Sequence, residues 1–153
     1  MTRPVKILVA YDGSAHSKEA LNWAIDLGLL SSATVIAAKV VEPVELNRAH
    51  VLYEPGYGAT LAERFAEMHK LDEEHLQEAI AAGRTKGIVV KTEMLQGNIA
   101  AAIIDYAGKN GVDLIVTGTK GHGALAEMLM GSVTRNLVSL SNIPVLVVKD
   151  SED

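Results

Sequence analysis

The sequence predicts an α/β fold: a five-stranded parallel sheet of order 3-2-1-4-5 with helices on both faces, in one Rossmann-like, doubly wound domain over residues 1–153. Three observations predict it. Short apolar runs rich in β-branched residues recur five times along the chain. Helical patterns separate most of them, as crossovers between parallel strands require. The first and fourth runs are almost wholly apolar, which is typical of central strands buried on both faces.

The five apolar runs are assigned to strands in chain order. They are VKILVA (5–10), TVIAAKV (34–40), IVVKTEM (88–94), DLIVTG (113–118) and VLVVK (145–149). The third run alternates apolar and polar residues, which is typical of an edge strand. Pro144 precedes the fifth run, at a position where its missing N–H matters least.

Helical periodicity occupies four of the intervening segments, roughly 15–30, 60–86, 98–111 and 132–142. The first is expected to place Ala20, Trp23, Ala24 and Leu27 on one face. Residues 43–60 mix Pro, Gly and Tyr without a period and are expected to form a long loop. Such a loop is either a lid or partner surface, or a simple insertion.

Composition excludes several functional classes. Cysteine is absent, which rules out disulfides, thiol redox chemistry and thiolate metal sites. The net charge is −5, and no basic run is long enough to suggest binding to nucleic acid. No apolar run reaches the length of a membrane span, and the start of the chain lacks a signal-peptide cleavage pattern. We therefore expect a cytoplasmic domain with no nucleic-acid partner and no membrane span.

Glycines concentrate after the fourth predicted strand, in GTKGHGALAEMLMGS (118–132). In a sheet of this order, ligands bind beyond the carboxyl ends of strands 1 and 4, where the order reverses. Gly118 and Gly121 would give a ribose or a phosphate room beside the strand end. Lys120 and His122 lie in the same stretch and either reach a phosphate or belong to a solvated loop face. The stretch contains no Walker A pattern.

The end of this stretch also suits an anion, because Gly131 and Ser132 open the next predicted helix. The first N–H groups of a helix, here those of Ser132, Val133 and Thr134, lie at its positive end and bind phosphate. Gly131 would let the backbone approach a ligand closely. The alternative is structural: a glycine cap and a turn, with Ser132 as an ordinary N-cap.

The spacing Gly118-x2-Gly121-x9-Gly131-Ser132 is similar to the G-x2-G-x9-G-[ST] signature of the ATP-binding subgroup of the universal stress protein family. ILVAYDGSAHSKEAL resembles the opening strand, Asp-Gly-Ser turn and first helix of that family. QGNIAAAIIDYA resembles the start of its third helix, and GSVTRNLVSLSNIPVLVVK resembles its closing helix and strand. The resemblance covers the chain except about residues 43–60.

The resemblance implies an ATP site with Mg²⁺, to which residues near two strand ends contribute. Asp12 resembles the acid beside the nucleotide, where it would accept from a ribose hydroxyl or orient a hydrated Mg²⁺. Capping of the first helix by an Asx turn is its structural alternative. Ala10 and Tyr11 match the residues on the adenine side, although Tyr11 replaces a more usual small residue or proline. Val40 matches the apolar residue whose backbone meets the adenine, and a core position explains it equally well.

The resemblance further implies a homodimer joined by antiparallel pairing of the last strand. The sequence agrees, because the residues of that strand carry no charge that would discourage edge pairing: Val145, Leu146, Val147 and Val148. A regulatory or stress-response factor with an unknown protein partner and at most slow ATP hydrolysis is then expected. Two alternatives stay open, an ATP-cleaving or adenylating enzyme and a structural dimer module that binds no nucleotide. The sequence does not distinguish ATP from AMP or a cyclic nucleotide.

Overall fold

A computed structural model describes residues 3–42, 58–120 and 130–149. Residues 43–57 of the predicted loop lie outside this part, whereas residues 58–60 already belong to a helix. The elements in chain order are β1 (Lys6–Ala10), α1 (Ala15–Ser31), β2 (Thr34–Val41), α2 (Gly58–Thr85), β3 (Val90–Gln96), α3 (Ile99–Lys109), β4 (Leu114–Gly118), α4 (Ser132–Leu140) and β5 (Val145–Val148).

The strands form one sheet of order β3-β2-β1-β4-β5, and every neighbouring pair is parallel. This order confirms the predicted fold class. β1 lies at the centre, with Val9 paired in register to Ala37 of β2 and to Val116 of β4. β3 begins two residues later than predicted, because the N–H of Ile88 still bonds to the carbonyl of Gly83 in the last turn of α2.

The core has two layers, one on each face of the sheet. On one face, α1 and α2 cover alternate strand residues such as Ile7, Val9 and Val35. On the other face, α3 packs beside α4 over residues such as Leu8 and Ile115. These side chains are fully buried in β1 and β4, as expected for central strands, whereas β3 alternates between buried and exposed residues.

The buried face of α1 differs from the predicted one. Ala20 and Ala24 are buried as expected, but Trp23 is 51% exposed. The helix also buries Leu21 and Ile25. A Cβ on Gly28 would lie 2.6 Å from Cγ2 of Val35, so the helix approaches the sheet closely at this glycine. The tryptophan lies outside the face that packs on the sheet.

Helix α2 is the longest element, with 28 residues, and it is charged along most of its length. It ends near the amino edge of the sheet, packs on β2 and β3, and contacts α1. Across the described ranges, no helix is both long and apolar enough to cross a bilayer.

Candidate functional site

The carboxyl ends of β1 and β4 lie side by side, and the chain continues from them to α1 and α4 on opposite faces of the sheet. Buried hydroxyl side chains gather at this point. In the part of the chain that the structure describes, the buried polar residues are Ser14, Ser17, Thr117, Thr119 and Thr134. A sheet of this topology binds ligands at such a crevice, so the candidate site begins here.

The turn between β1 and α1 is held by side-chain hydrogen bonds. Asp12 Oδ1 accepts from the backbone N–H of Ser14 at 2.9 Å, which is the Asx turn considered for this residue. Ser14 Oγ in turn accepts from the N–H of Ser17 at 3.2 Å and caps α1. Gly13 has φ +82, a left-handed conformation that favours glycine. The structural role of Asp12 is thus fixed by its own turn.

The end of β4 is bound tightly to both neighbouring helices. A Cβ on Gly118 would lie 2.7 Å from the carbonyl oxygen of His16, so this glycine permits the close approach of α1. Thr134 of α4 donates its hydroxyl to the carbonyl of Gly118 at 2.7 Å. The packing of α1 is therefore enough to explain a glycine at position 118. The prediction that Gly118 leaves room for a ligand stays a prediction.

Helix α4 begins at Ser132, with Gly131 as its capping residue and no side-chain cap. The prediction of Ser132 as the N-cap is therefore wrong, whereas the glycine cap of the same structural alternative is confirmed. The N–H of Gly131 donates to the carbonyl of Thr119 at 2.7 Å. The first intrahelical bond comes from Arg135, so the three preceding N–H groups have no acceptor within the helix.

Gly131 has no steric need to be glycine among the described residues. A Cβ there would lie 3.5 Å from the carbonyl oxygen of Thr119 and 3.6 Å from Cα of Lys120, which is ordinary contact. Its φ of −71 suits any residue. Contacts with the described residues therefore require glycine at position 118 but not at position 131.

A cavity of about 240 Å³ opens where these elements meet. Its volume is close to the lower end of the range of about 300–1,000 Å³ for ligand pockets. The cavity joins an apolar wall from β2 and α3 to the amino end of α4. The lining residues are Ala10, Tyr11, Asp12, Ser17, Ala38, Lys39, Val40, Glu42, Ile99, Ile103, Thr117, Gly118, Lys120, Val133 and Thr134.

Charges of both signs line the cavity: Asp12, Glu42, Lys39 and Lys120. Lys39 Nζ lies 3.5 Å from Oδ1 of Asp72 on α2, and both side chains are largely buried.

The buried Tyr11 also lines the cavity, with two acids nearby. Burial first, then the negative charges of Glu78 and Asp12, raise the pKa of Tyr11 to about 12. Tyr11 is therefore a neutral phenol at neutral pH, and it is a poor base or nucleophile.

The structure brings together most of the residues predicted for a nucleotide. Eight of them line the cavity: Ala10, Tyr11, Asp12, Val40, Gly118, Lys120, Val133 and Thr134. Gly131 and Ser132 lie at the start of α4, next to Val133. Gly121 and His122 lie outside the described residues. Sequence reasoning missed other lining residues, of which Lys39 and Glu42 are charged. Their place at the end of β2, beside Val40, was the available signal.

Comparison with known proteins connects this geometry to a family. The model of the Universal stress protein family matches residues 5–149. A universal stress protein of Mycolicibacterium smegmatis is 34% identical over 145 residues, which are 93% of this chain and 47% of that protein. The chain thus spans about half the length of that relative. Universal stress protein YxiE of Bacillus subtilis is 32% identical, over 94% of this chain and 98% of its own.

Solved structures agree with the fold. The structure of protein MJ0577 of Methanocaldococcus jannaschii has a TM-score of 0.79 at 28% identity and covers 97% of this chain and 98% of its own. A universal stress protein in complex with cAMP has a TM-score of 0.64 at 24% identity and covers 96% of this chain and 98% of its own. A universal stress protein from Archaeoglobus fulgidus in complex with dAMP has a TM-score of 0.61 at 18% identity. It covers 97% of this chain and 100% of its own. At those two identities the likeness shows the fold alone. The family match over nearly the whole chain shows that this protein belongs to the universal stress protein family.

Proposed function

We propose that the chain binds ATP with Mg²⁺ in this cavity and acts as a dimeric regulatory factor of the stress response. One observation carries the proposal: a single cavity is lined both by an apolar wall and by the amino end of α4. An adenine base needs the first and a phosphate chain needs the second. Two universal stress proteins of known structure, one in complex with cAMP and one in complex with dAMP, support an adenine nucleotide as the ligand class.

The apolar wall suits a flat base. Val40 is buried at the end of β2, and Ile99 and Ile103 face the cavity from α3 on the same side of the sheet. Such a wall gains free energy when an aromatic ring replaces water on it. In this proposal the adenine lies against these residues, and the ribose lies above the ends of β1 and β4.

The amino end of α4 suits the phosphates. The N–H groups of Ser132, Val133 and Thr134 have no acceptor within the helix, and the helix dipole adds positive potential at the same place. Contacts with the described residues do not require glycine at position 131. In this proposal Gly131 is glycine so that a phosphate can approach the backbone at the start of α4. We infer that a side chain at this position would occupy the path of a phosphate.

Asp12 is the residue assigned to Mg²⁺. Its carboxylate lines the cavity, and a carboxylate is the protein ligand that Mg²⁺ prefers. In the described ranges no three His, Asp or Glu side chains converge into a metal cage. Mg²⁺ typically binds through one or two carboxylates, phosphates and water, which fits Asp12 and a nucleotide together.

We expect slow hydrolysis at most, well below about 1 per second. Fast phosphoryl transfer needs a positioned water and a cation on the transferring group. Asp12 is engaged in its own turn, and the neutral Tyr11 offers no base. The proposal also includes a cytoplasmic location.

The proposed dimer forms through β5, an outer strand of the sheet. Val145, Leu146 and Val147 are only half-buried within one chain, and none carries the charge that discourages edge pairing. Val147→Lys is expected to convert a dimer into a monomer, as measured by sedimentation equilibrium. A wild type that sediments as a monomer would contradict this part of the proposal.

Thermal unfolding tests the nucleotide site. At a free ATP concentration 100 times the Kd, binding adds about 2.7 kcal/mol, which raises the Tm of a domain of this size by roughly 5–10 °C. The shift is expected to be largest with ATP-Mg²⁺, smaller with ADP and AMP, and lost in Gly131→Val. The Tm of ligand-free Gly131→Val serves as the control for its fold. A wild-type Tm that no nucleotide changes would favour a structural module.

A further inference from the structure

Lys39 is a charged residue of the cavity wall that the family signature does not include. It lies near the carboxyl end of β2, and its side chain is only 16% exposed. Its ammonium nitrogen lies 3.5 Å from Oδ1 of Asp72 on α2, whose side chain is 15% exposed. An ion pair so far removed from solvent is screened less than a surface pair. The charge of a ligand in the cavity therefore acts on this pair.

Asp72 belongs to a row of side chains through which α2 contacts the site. One turn later, the ring of His75 packs against Gly13, with atoms 2.7 Å from where a Cβ on that glycine would lie. A further turn on, Glu78 forms an ion pair with Lys18 of α1 at 3.4 Å. Residues three apart on a helix lie on the same side, so one side of α2 contacts β2, the turn that also carries Asp12, and α1.

The Lys39–Asp72 pair also marks the point where α2 extends beyond the domain body. The six residues before Asp72, residues 66–71, are all exposed. They include Met68 and Leu71, which are 45% and 50% exposed. The ion pair thus joins α2 to β2 directly next to this exposed part of the helix.

We propose that Lys39 is a specificity-determining residue of the cavity, which selects for the negative charge of the ligand and shares its ammonium between that ligand and Asp72. The inference rests on the proposed function, because it takes the ligand to be an adenine nucleotide. An ammonium group has three N–H donors, so it can bind a ribose or phosphate oxygen while it stays near the carboxylate.

The sharing couples the ligand to α2. Nucleotide and Asp72 are both anionic, so each weakens the hold of the other on Lys39. Bound nucleotide therefore loosens the exposed part of α2 from the sheet. Because coupling between two sites is reciprocal, Asp72 opposes nucleotide binding to the same extent.

A calorimetric titration with adenosine, AMP, ADP and ATP tests the proposal, with Mg²⁺ present and wild type, Lys39→Met and Asp72→Asn as the proteins. Lys39→Met is expected to weaken ATP binding roughly fivefold or more. Its affinity for adenosine is expected to stay within about twofold of the wild-type affinity. Asp72→Asn is expected to tighten ATP binding roughly fivefold. Lys39→Arg keeps the charge and is expected to restore the dependence of affinity on ligand charge.

A control ion pair lies at the other end of the same helix. Lys86, the residue that follows α2, pairs with Asp26 of α1 at 2.9 Å, and neither residue lines the cavity. Asp26→Asn is expected to leave all four affinities unchanged. Hydrogen exchange supplies the second measurement: ATP is expected to speed exchange of the amides in residues 66–78 of wild type, and not of Asp72→Asn.

The outcomes separate the two proposals. If wild type binds none of the four ligands, the proposed function fails. If wild type binds ATP but Lys39→Met weakens adenosine and ATP by the same factor, Lys39 has only a structural role and this inference is overturned. Weaker ATP binding by Asp72→Asn would overturn it as well, because it contradicts the sign of the coupling.

Discussion

Replacing Gly118 by alanine is predicted to destabilise the fold, whereas the same change at Gly108 is predicted to stabilise it. A Cβ at position 118 would lie 2.7 Å from the carbonyl oxygen of His16 and 2.9 Å from its carbonyl carbon. Both are backbone atoms of the first turn of α1, so no side-chain rotation relieves the contact. The helix itself has to move away from β4.

The size of the effect follows from the packing. Inserting a methyl group into a close-packed interior costs about 1–3 kcal/mol, and we expect about 2 kcal/mol here because backbone has to shift. For a domain of this length, that lowers the Tm by roughly 4–8 °C. Gly108 lies within α3, and a Cβ there would meet nothing within 4 Å. In the interior of a helix, alanine stabilises the helix relative to glycine by up to about 1 kcal/mol.

Urea unfolding at 25 °C, followed by circular dichroism, measures both changes. The midpoint is expected to fall for Gly118→Ala and to rise for Gly108→Ala, while the slope stays constant for both. If the free energy of unfolding of Gly118→Ala lies within about 0.5 kcal/mol of the wild-type value, the packing argument is refuted. If Gly108→Ala lowered the free energy of unfolding by as much as Gly118→Ala, the packing argument would also be refuted. Glycine would then matter for a reason other than the contact with His16.

The remaining predictions concern the turn that carries Asp12. Ser14→Ala removes the cap of α1, and Asn98→Ala removes the cap of α3. Urea unfolding is expected to show that each change lowers the free energy of unfolding by about 1 kcal/mol. Titration is expected to show weaker nucleotide binding for Ser14→Ala and unchanged binding for Asn98→Ala. For Tyr11 the folded pKa of about 12 exceeds the unfolded value of 10.0, so the unfolded chain loses its proton first as the pH rises. The free energy of unfolding of wild type relative to Tyr11→Phe is therefore expected to fall by about 2–3 kcal/mol between pH 9 and pH 12. A difference that stays constant over that range would contradict the assignment.

The order of the strands could be predicted because local patterns carry it. Nearly pure apolar runs mark β1 and β4 as central, and alternation marks β3 as an edge. The face of α1 could not be predicted as well, because both Trp23 and Ala20 fit its apolar spacing. The structure buries Ala20, Leu21, Ala24 and Ile25 and brings Gly28 close to the sheet, and this orientation of the helix is a tertiary property.

The candidate site divides in the same way. Asp12 and Gly131 follow from a turn and a helix start, which short stretches of sequence reveal. The need for glycine at position 118 depends on His16 of a distant helix. The Lys39–Asp72 pair likewise joins a strand to α2 across a long separation in sequence, so neither residue suggests the other.

Calorimetric titration of the wild-type chain with ATP-Mg²⁺ tests the central claim most directly. We predict saturable binding with one nucleotide per chain, weaker binding of AMP, and no detectable ATP binding to a Gly131→Val variant whose ligand-free Tm matches that of wild type. Absence of heat at millimolar ATP, or equal binding by Gly131→Val, would contradict the assignment of the cavity and the amino end of α4 as a nucleotide site.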